Sequence, residues 1–172
     1  MGGDYAPGPI VQGAVEAVRS MNGSTEVILV GDRAKIETAL GECGADGRGL
    51  EIFHCTQTVG MDESPVEALR RKRDNSISRC WELMATARAD ALVSAGSTGA
   101  VVAGGLFQKR FLRGVKRPGI AVVLPTATGP CVLLDVGANM AARSEHLFQY
   151  GVMGSLYAKH ILKIENPAIA LM

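Results

Sequence analysis

The sequence predicts an α/β protein, a three-layer sandwich with a mostly parallel sheet. Short apolar runs typical of buried strands alternate with segments in which apolar residues recur at helical spacing. Small-residue turns follow several of these runs, at the edge where parallel sheets bind their ligands. Two apolar runs, 119–125 and 131–136, are joined by a short turn and predict an antiparallel hairpin beside the parallel sheet.

The composition limits the possible function classes. The chain has 172 residues, 47% of them hydrophobic, which suits one domain or a large part of a bigger one. A net charge of +1 argues against a nucleic-acid partner. The four cysteines lack metal-binding spacing and indicate reduced, mostly buried thiols of a cytoplasmic protein. No apolar run reaches the ~18 residues that a membrane span needs.

The first elements read as helix, strand, helix, strand. Pro7 and Pro9 suit the first turn of a helix, and Asn22 and Gly23 are predicted to end it. A strand over 26–30 precedes a helix with Asp32 as its N-cap, and a strand over 50–55 follows. The buried side of the second helix is predicted to consist of Ile36, Leu40 and Cys43.

Further along the chain, helix and strand signals continue to alternate. Ser64 and Glu67 predict a capping box for a helix over 66–72, and Ser76 is the predicted N-cap of the next helix. A strand over 91–93 and a helix over 100–111 follow. Beyond the hairpin, Ser144 is predicted to cap a long helix, and 168–172 reads as a strand.

The stretch 91–100 is the centre of this organisation. An apolar run enters a turn of glycine and hydroxyl residues that opens a helix, so N–H groups and the positive helix end meet at one spot. Such a turn suits an anion, and it equally suits close packing of strand and helix. Two similar turns, 1–4 and 135–139, lead us to expect one cleft shaped for a compact anion such as phosphate.

Six segments, taken in order, resemble the bacterial acyl-acyl-carrier-protein:phosphate acyltransferases of phospholipid synthesis, the PlsX family. Each is short, and together they span the chain: 1–7, 29–32, 61–70, 93–100, 133–139 and 145–155. The turn reads Gly-Ser-Thr-Gly where many relatives have Gly-Asn-Thr-Gly. Asn75 stands where relatives tend to have serine.

The resemblance implies a fold like that of isocitrate and isopropylmalate dehydrogenases, related to phosphotransacetylase. It implies that residues 1–172 form a single incomplete α/β domain, which lacks a first strand and a C-terminal half. The implied partners are acyl carrier protein, inorganic phosphate and a second copy of the chain. The implied acyl phosphate feeds glycerol-3-phosphate acylation. Peripheral association with the inner face of the membrane and with a glycerol-3-phosphate acyltransferase stays open.

The implied reaction needs neither metal nor cofactor, because phosphate itself attacks the thioester and a thiol leaves easily. The candidates for holding phosphate are small or basic: Gly2, Gly3, Gly96, Ser97, Thr98, Gly99 and Arg71. Ser97 alternatively caps a helix. Three residues are the catalytic candidates. Asn139 either donates to the thioester oxygen or holds a left-handed turn. Asp4 orients a partner or caps the first helix. Lys72 supplies positive charge or is a solvated helix end.

Two alternatives to this function remain. One is a phosphotransacetylase-like enzyme that acts on a coenzyme A thioester. The other is a non-catalytic fragment that only binds phosphate or dimerises, since both ends of the sequence read as cut. We therefore expect residues 1–172 alone to be inactive.

Overall fold

The computed structural model describes residues 2–45, 47–108, 114–139 and 141–172. The chain divides into two compact units, residues 1–110 and 111–172, which are described separately here. The first unit contains α1 (Gly8–Ser20), β1 (Val27–Gly31), α2 (Arg33–Glu42), β2 (Leu50–His54), α3 (Pro65–Arg71), α4 (Ser76–Ala85) and α5 (Thr98–Phe107). The second contains β3 (Ala121–Thr126), β4 (Gly129–Leu134) and α6 (Ser144–His160). The α/β class is therefore confirmed.

Within the first unit, β1 and β2 form a parallel pair, in register from Val27 with Leu50 to Gly31 with His54. Helices α1 and α2 bury their apolar stripes against this pair, in a core of Val11, Val15, Leu29, Ile36, Ala39 and Leu40. A second core lies under α3, α4 and α5 and includes Val59, Leu69, Ile77 and Ala100. The parallel pairing aligns the carboxyl ends of both strands, at Asp32 and Cys55, on one edge.

The second unit begins with the predicted hairpin. β3 and β4 pair antiparallel from Ala121 with Leu134 to Thr126 with Gly129. Helix α6 buries His146, Tyr150 and Ala158. Cys131, one of the four cysteines predicted to be mostly buried, is exposed on β4, because the hairpin leaves much of this strand facing solvent. In the described ranges, no helix is both long and apolar enough to cross a bilayer.

Two predicted strands are absent from the described residues. Residues 91–93 and 168–172 have no regular structure, and Val93 is 95% exposed. A strand exists only as part of a hydrogen-bonded ladder, and neither sheet pairs with these segments. Apolar composition alone therefore predicted two strands that the described structure does not contain. The predicted end of the helix over 100–111 lies outside the described residues, and α5 is described up to Phe107.

Helix starts were predicted correctly in some places and one residue late in others. Asp32 caps α2 and accepts from the N–H groups of Ala34 and Lys35 at 3.0 and 3.3 Å. Asn75, rather than Ser76, caps α4. Likewise Arg143, rather than Ser144, is the N-cap of α6.

The predicted capping box of α3 does not form. Ser64 is the N-cap but makes no side-chain cap bond. The Glu67 carboxylate instead pairs with Arg71 one turn later, at 3.5 Å. The Glu67 carboxylate is therefore engaged in an i,i+4 ion pair and not in a capping box.

A polar network joins the end of β2 to the start of α4. Asp74 accepts from the hydroxyl and the N–H of Thr56 at 2.7 and 2.9 Å, and from Arg79 at 2.8 Å. These donors, the Thr56 hydroxyl first, lower the pKa of Asp74 to about 2. The neighbouring Asn75 is fully buried. This network fixes the segment on which Lys72 lies.

Candidate active site

Two of the three predicted turns lie against each other. A Cβ added to Gly2 would stand 2.9 Å from Gly96 Cα, and one added to Gly96 would stand 3.2 Å from Gly2 Cα. Gly3 has a φ of +108° and approaches the carbonyl of Ala95 closely. Both turns therefore need glycine, since any side chain would push the two backbones apart.

The turn at 94–99 presents free donors. Ser97 caps α5, and its hydroxyl oxygen accepts from Ala100 N–H at 3.3 Å, as the alternative interpretation of this residue holds. The Gly96 N–H donates to the Ser94 hydroxyl at 3.2 Å. Within the described part of the chain, the N–H groups of Thr98 and Gly99 meet no acceptor. They belong to the first turn of a ten-residue helix, where unpaired donors and the helix dipole favour an anion.

The start of α5 packs on the start of α3. A Cβ on Gly99 would stand 2.8 Å from Pro65 Cγ. Thr98, beside it, is exposed at the first helical position. The glycine therefore permits close helix packing, which confirms the packing interpretation of this turn, and the anion-binding interpretation stays a prediction.

A cleft of about 400 Å³ opens at the carboxyl ends of β1 and β2. Its lining joins the first turn to the strand ends and includes Gly2, Gly3, Asp4, Lys35 and Thr58. Asp4 is exposed there, and it does not cap α1, whose N-cap is Pro7 without a side-chain bond. The capping interpretation of Asp4 is therefore wrong, and its orienting role stays a prediction.

Lys72 is already paired. Its ammonium group donates to the Thr58 carbonyl at 2.9 Å and to Glu63 Oε1 at 2.5 Å. The same Glu63 oxygen accepts from Gly60 N–H at 2.7 Å. The Lys72 hydrogen bond is the largest cause that lowers the pKa of Glu63, so this carboxylate stays charged. Lys72 is therefore a fixed charge at the end of α3, bonded to the segment that contributes Thr58 and Gly60 to the cleft.

Arg71, in contrast, points into solvent. Its side chain is 80% exposed and pairs only with Glu67 among the described residues. An exposed i,i+4 pair of this kind contributes little and breaks readily. Its predicted phosphate contact stays a prediction.

The third turn lies in the second unit and is held by one carboxylate. Asp135 accepts from the N–H groups of Ile120, Ala138 and Asn139 at 2.9, 3.0 and 2.8 Å. Asn139 adds its side-chain amide at 3.1 Å. Burial acts to raise the pKa of Asp135, but these four hydrogen bonds outweigh it and hold the pKa below its ordinary value.

Asn139 is part of the hydrogen-bond network around Asp135. Its Nδ2 also donates to the Pro118 carbonyl at 2.9 Å, so both amide protons are engaged. Left-handed residues other than glycine in the described ranges are Asn22, Ala87 and Lys163, so the left-handed interpretation of Asn139 is wrong. To donate to a thioester, Asn139 must give up one of these two bonds.

The comparisons with known proteins now identify the family. A model of the family described as "Fatty acid synthesis protein" matches residues 1–172. The chain belongs to this family. It is 45% identical over 172 residues to a protein of Oleidesulfovibrio alaskensis, 46% identical to one of Moorella thermoacetica and 47% identical to one of Desulfitobacterium hafniense. Each match covers 100% of this chain and 49%, 50% and 51% of the relative, respectively, and each relative is named phosphate acyltransferase. The chain therefore spans about half the length of these relatives.

For this member of the fatty acid synthesis protein family, sequence reasoning missed two site features. Glu63 lies inside the recognised segment 61–70, but nothing in the sequence showed that it would pair with Lys72 nine residues later. Tyr150 of α6 is 3% exposed, and its hydroxyl is buried with the ring. Pairing across a loop and burial of a hydroxyl both depend on tertiary structure, which local spacing does not encode.

Proposed function

We propose that this chain is the phosphate-binding half of a phosphate acyltransferase that makes acyl phosphate from acyl-acyl-carrier-protein and inorganic phosphate. The observation that carries the proposal is the pair of glycine turns in contact at 2–3 and 95–96, beside the N–H groups of Thr98 and Gly99, which have no acceptor among the described residues. The names of the relatives, which specify phosphate and acyl transfer, support it.

The chemistry suits a site that lacks a side-chain nucleophile. A phosphate oxygen attacks the thioester carbonyl carbon, and the carbonyl oxygen becomes an oxyanion. The C–S bond then breaks, and the carrier thiolate leaves and takes up a proton. The products are acyl phosphate and free carrier protein. Because a thiol with a pKa of about 8.5 leaves easily, the protein mainly supplies positioning and oxyanion donors.

The first unit supports the phosphate part of this scheme. The N–H groups of Thr98 and Gly99 and the hydroxyls of Ser97 and Thr98 are the proposed donors to phosphate oxygens. Ser97 keeps this capacity because its oxygen accepts the cap bond and its proton remains available. Gly2, Gly3 and Gly96 give the backbone room to approach.

We assign the remaining roles by charge. Lys72 is proposed to stabilise phosphate or the transition state from its fixed position beside Thr58, and Arg71 to swing towards phosphate from solvent. Asp4 is proposed to orient a partner in the cleft that it lines. Asn139 is proposed to donate to the thioester oxygen after it exchanges one of its amide bonds.

The wider setting follows the family resemblance. We propose a fold like that of isocitrate and isopropylmalate dehydrogenases, a homodimer, and residues 1–172 as one part of an α/β domain. The proposed location is the cytoplasm, with peripheral contact with the membrane where a glycerol-3-phosphate acyltransferase takes up the acyl phosphate.

The test is phosphate-dependent release of free thiol from acyl-acyl-carrier-protein, with acyl phosphate trapped by hydroxylamine. The protein is expressed from its complete open reading frame, and residues 1–172 are assayed beside it. A coenzyme A thioester of the same chain length forms the second arm, and equal or faster use of it would favour a phosphotransacetylase-like enzyme. Failure with both thioesters would refute the proposal.

A hydroxyl variant adds a test of the site. Thr98→Val removes one proposed phosphate donor from an exposed position and is expected to raise the KM for phosphate several-fold. Thr38→Val is the matched control, since Thr38 is an exposed helical threonine whose hydroxyl donates to the Ala34 carbonyl at 2.9 Å. Equal KM values in the two variants would remove Thr98 from the site.

A further inference from the structure

Glu63 is the acceptor at the centre of a short chain of hydrogen bonds beside the cleft. One of its oxygens, Oε1, accepts from the Lys72 ammonium group at 2.5 Å and from the Gly60 N–H at 2.7 Å. Lys72 also donates to the Thr58 carbonyl at 2.9 Å. The backbone of residues 58–60, which line the cleft, therefore bonds the carboxylate at one end and the ammonium group at the other.

The backbone at Gly60 fits closely around this carboxylate. A Cβ added to Gly60 would stand 3.1 Å from Glu63 Oε1 and 2.8 Å from Asp62 Oδ1. A side chain at this position would crowd both carboxylates. Glycine therefore lets Glu63 approach the backbone N–H directly, and this bond fixes the carboxylate before it meets Lys72.

The ion pair on the surface of α3 is of a different kind. Glu67 and Arg71 meet at 3.5 Å with side chains that are 66% and 80% exposed, and such pairs contribute little. Glu63 precedes α3 and Lys72 follows it, and each side chain is 33% exposed. Because each of these two groups also bonds the backbone, the pair holds one arrangement.

The charges of the pair indicate positioning, since a carboxylate opposes the attraction of an anion. The Lys72 hydrogen bond, followed by the Gly60 N–H, lowers the pKa of Glu63, so that Glu63 is charged near neutral pH. Lys72 has three donors, and the described residues accept two of them. A lysine that only attracts phosphate gains nothing from a negative partner. A lysine whose remaining donor must keep one direction does gain from it.

We propose that Glu63 is a positioning residue for acyl transfer, which holds the Lys72 ammonium group against the Thr58 carbonyl and so keeps its remaining donor in one direction. Gly60 fixes Glu63, and Glu63 in turn fixes Lys72. Glu63 itself touches no reacting atom in this scheme. The choice of Lys72 as the group that meets phosphate or the transition state rests on the proposed function.

The kinetic test measures acyl phosphate formation by the protein from its complete reading frame. Glu63→Ala is expected to lower kcat about tenfold, because a misplaced ammonium group no longer meets the transition state. The KM for phosphate should change less than about threefold, since the substitution removes a repelling charge together with an orienting bond. Glu63→Gln keeps an acceptor oxygen and should recover kcat to within about threefold of wild type. In the Lys72→Met background, Glu63→Ala should lower kcat no further, because the lysine that Glu63 positions is gone.

Labelling of Lys72 tests the contact without acyl transfer. Limiting acetic anhydride followed by peptide mass spectrometry measures how fast Lys72 reacts relative to Lys159, an exposed lysine of α6. An ammonium group held between two acceptors is shielded, so Glu63→Ala should raise the relative labelling of Lys72 several-fold, and Glu63→Gln should raise it less.

Glu51→Gln is the matched control for both assays. It weakens another ion pair, in which Glu51 meets Arg88 at 2.7 Å. Glu51 lies near the start of β2, whereas the cleft opens at the carboxyl end of that strand. The control should therefore match wild type in kcat and in Lys72 labelling.

Several results would overturn the inference. These are unchanged kcat in Glu63→Ala, an equal loss in the Lys72→Met background, or unchanged Lys72 labelling. A lower Tm with unchanged kcat per folded molecule would show a structural role alone and would overturn it as well. Labelling that responds as expected in a protein that transfers no acyl group would refute the proposed function and still support Glu63 as the residue that fixes Lys72. The two proposals therefore fail by different measurements.

Discussion

The packing of α5 on Trp81 yields a prediction with a definite sign. A Cβ on Gly104 would stand 2.5 Å from Trp81 Cδ1 and 2.8 Å from Nε1, the atom that donates to the Val101 carbonyl at 3.0 Å. Gly104→Ala gains about 1 kcal/mol of helix propensity. Overpacking costs about 1–3 kcal/mol, and displacing the indole hydrogen bond costs about 1 kcal/mol more. We expect a net loss of about 1–3 kcal/mol in the free energy of unfolding.

Gly13→Ala is the matched change in an open position. Gly13 lies inside α1, and a Cβ there would meet nothing within 4 Å. The same substitution should therefore stabilise the protein by about 0.5–1 kcal/mol. Urea denaturation followed by circular dichroism measures both, and the fluorescence of Trp81, the one tryptophan of the chain, reports on the α5 contact. Stabilisation by Gly104→Ala, or equal effects at the two positions, would refute this account of the packing.

Three further predictions concern the segment and the turns that form the site. Asn75→Ala should destabilise by about 2–4 kcal/mol in urea denaturation, because it removes the cap of α4 and a bond to the Lys72 carbonyl, whereas Asn75→Ser keeps a capping oxygen and should cost less. The pKa of Asp74, about 2 against an ordinary 3.8, means that its stabilisation is present above pH 4 and is lost as the pH falls towards 2. Asp74→Asn should flatten that part of an acid titration. On the proposed function, Gly96→Ala should abolish acyl transfer while the protein stays folded, since its Cβ meets the Gly2 backbone at 3.2 Å.

Sequence reasoning succeeded where a short stretch determines its own structure. Aspartate is a favoured N-cap residue, and the Asp32 carboxylate accepts from the N–H groups of Ala34 and Lys35. The start of α2 therefore follows from local chemistry. At α4, Asn75 and Ser76 are both good caps, and Asn75 wins because its amide also bonds Ser78 and the Lys72 carbonyl. A competition of that kind is decided by neighbours that only the fold supplies.

The predicted strands show the same limit at longer range. Residues 27–31 and 50–54 became strands because each is the other's ladder partner. Residues 91–93 are as apolar as either, yet in the described structure no strand pairs with them and Val93 faces solvent. Periodicity predicts which face of a strand is buried, but pairing decides whether the strand exists.

The turns at 94–99 and 135–139 differ in how many of their hydrogen-bonding groups already have a partner. This difference decides which of the two turns is ready for a ligand. At the start of α5, the N–H groups of Thr98 and Gly99 have no acceptor in the residues described, so an anion adds bonds there and breaks none. At 135–139, Asp135 already collects four donors, so a ligand must displace a bond before it gains one. The α5 turn is therefore the one that is prepared for an anion. The loosest contact of the other turn, the 3.4 Å bond from Arg117 to Asn139, should be the first to yield.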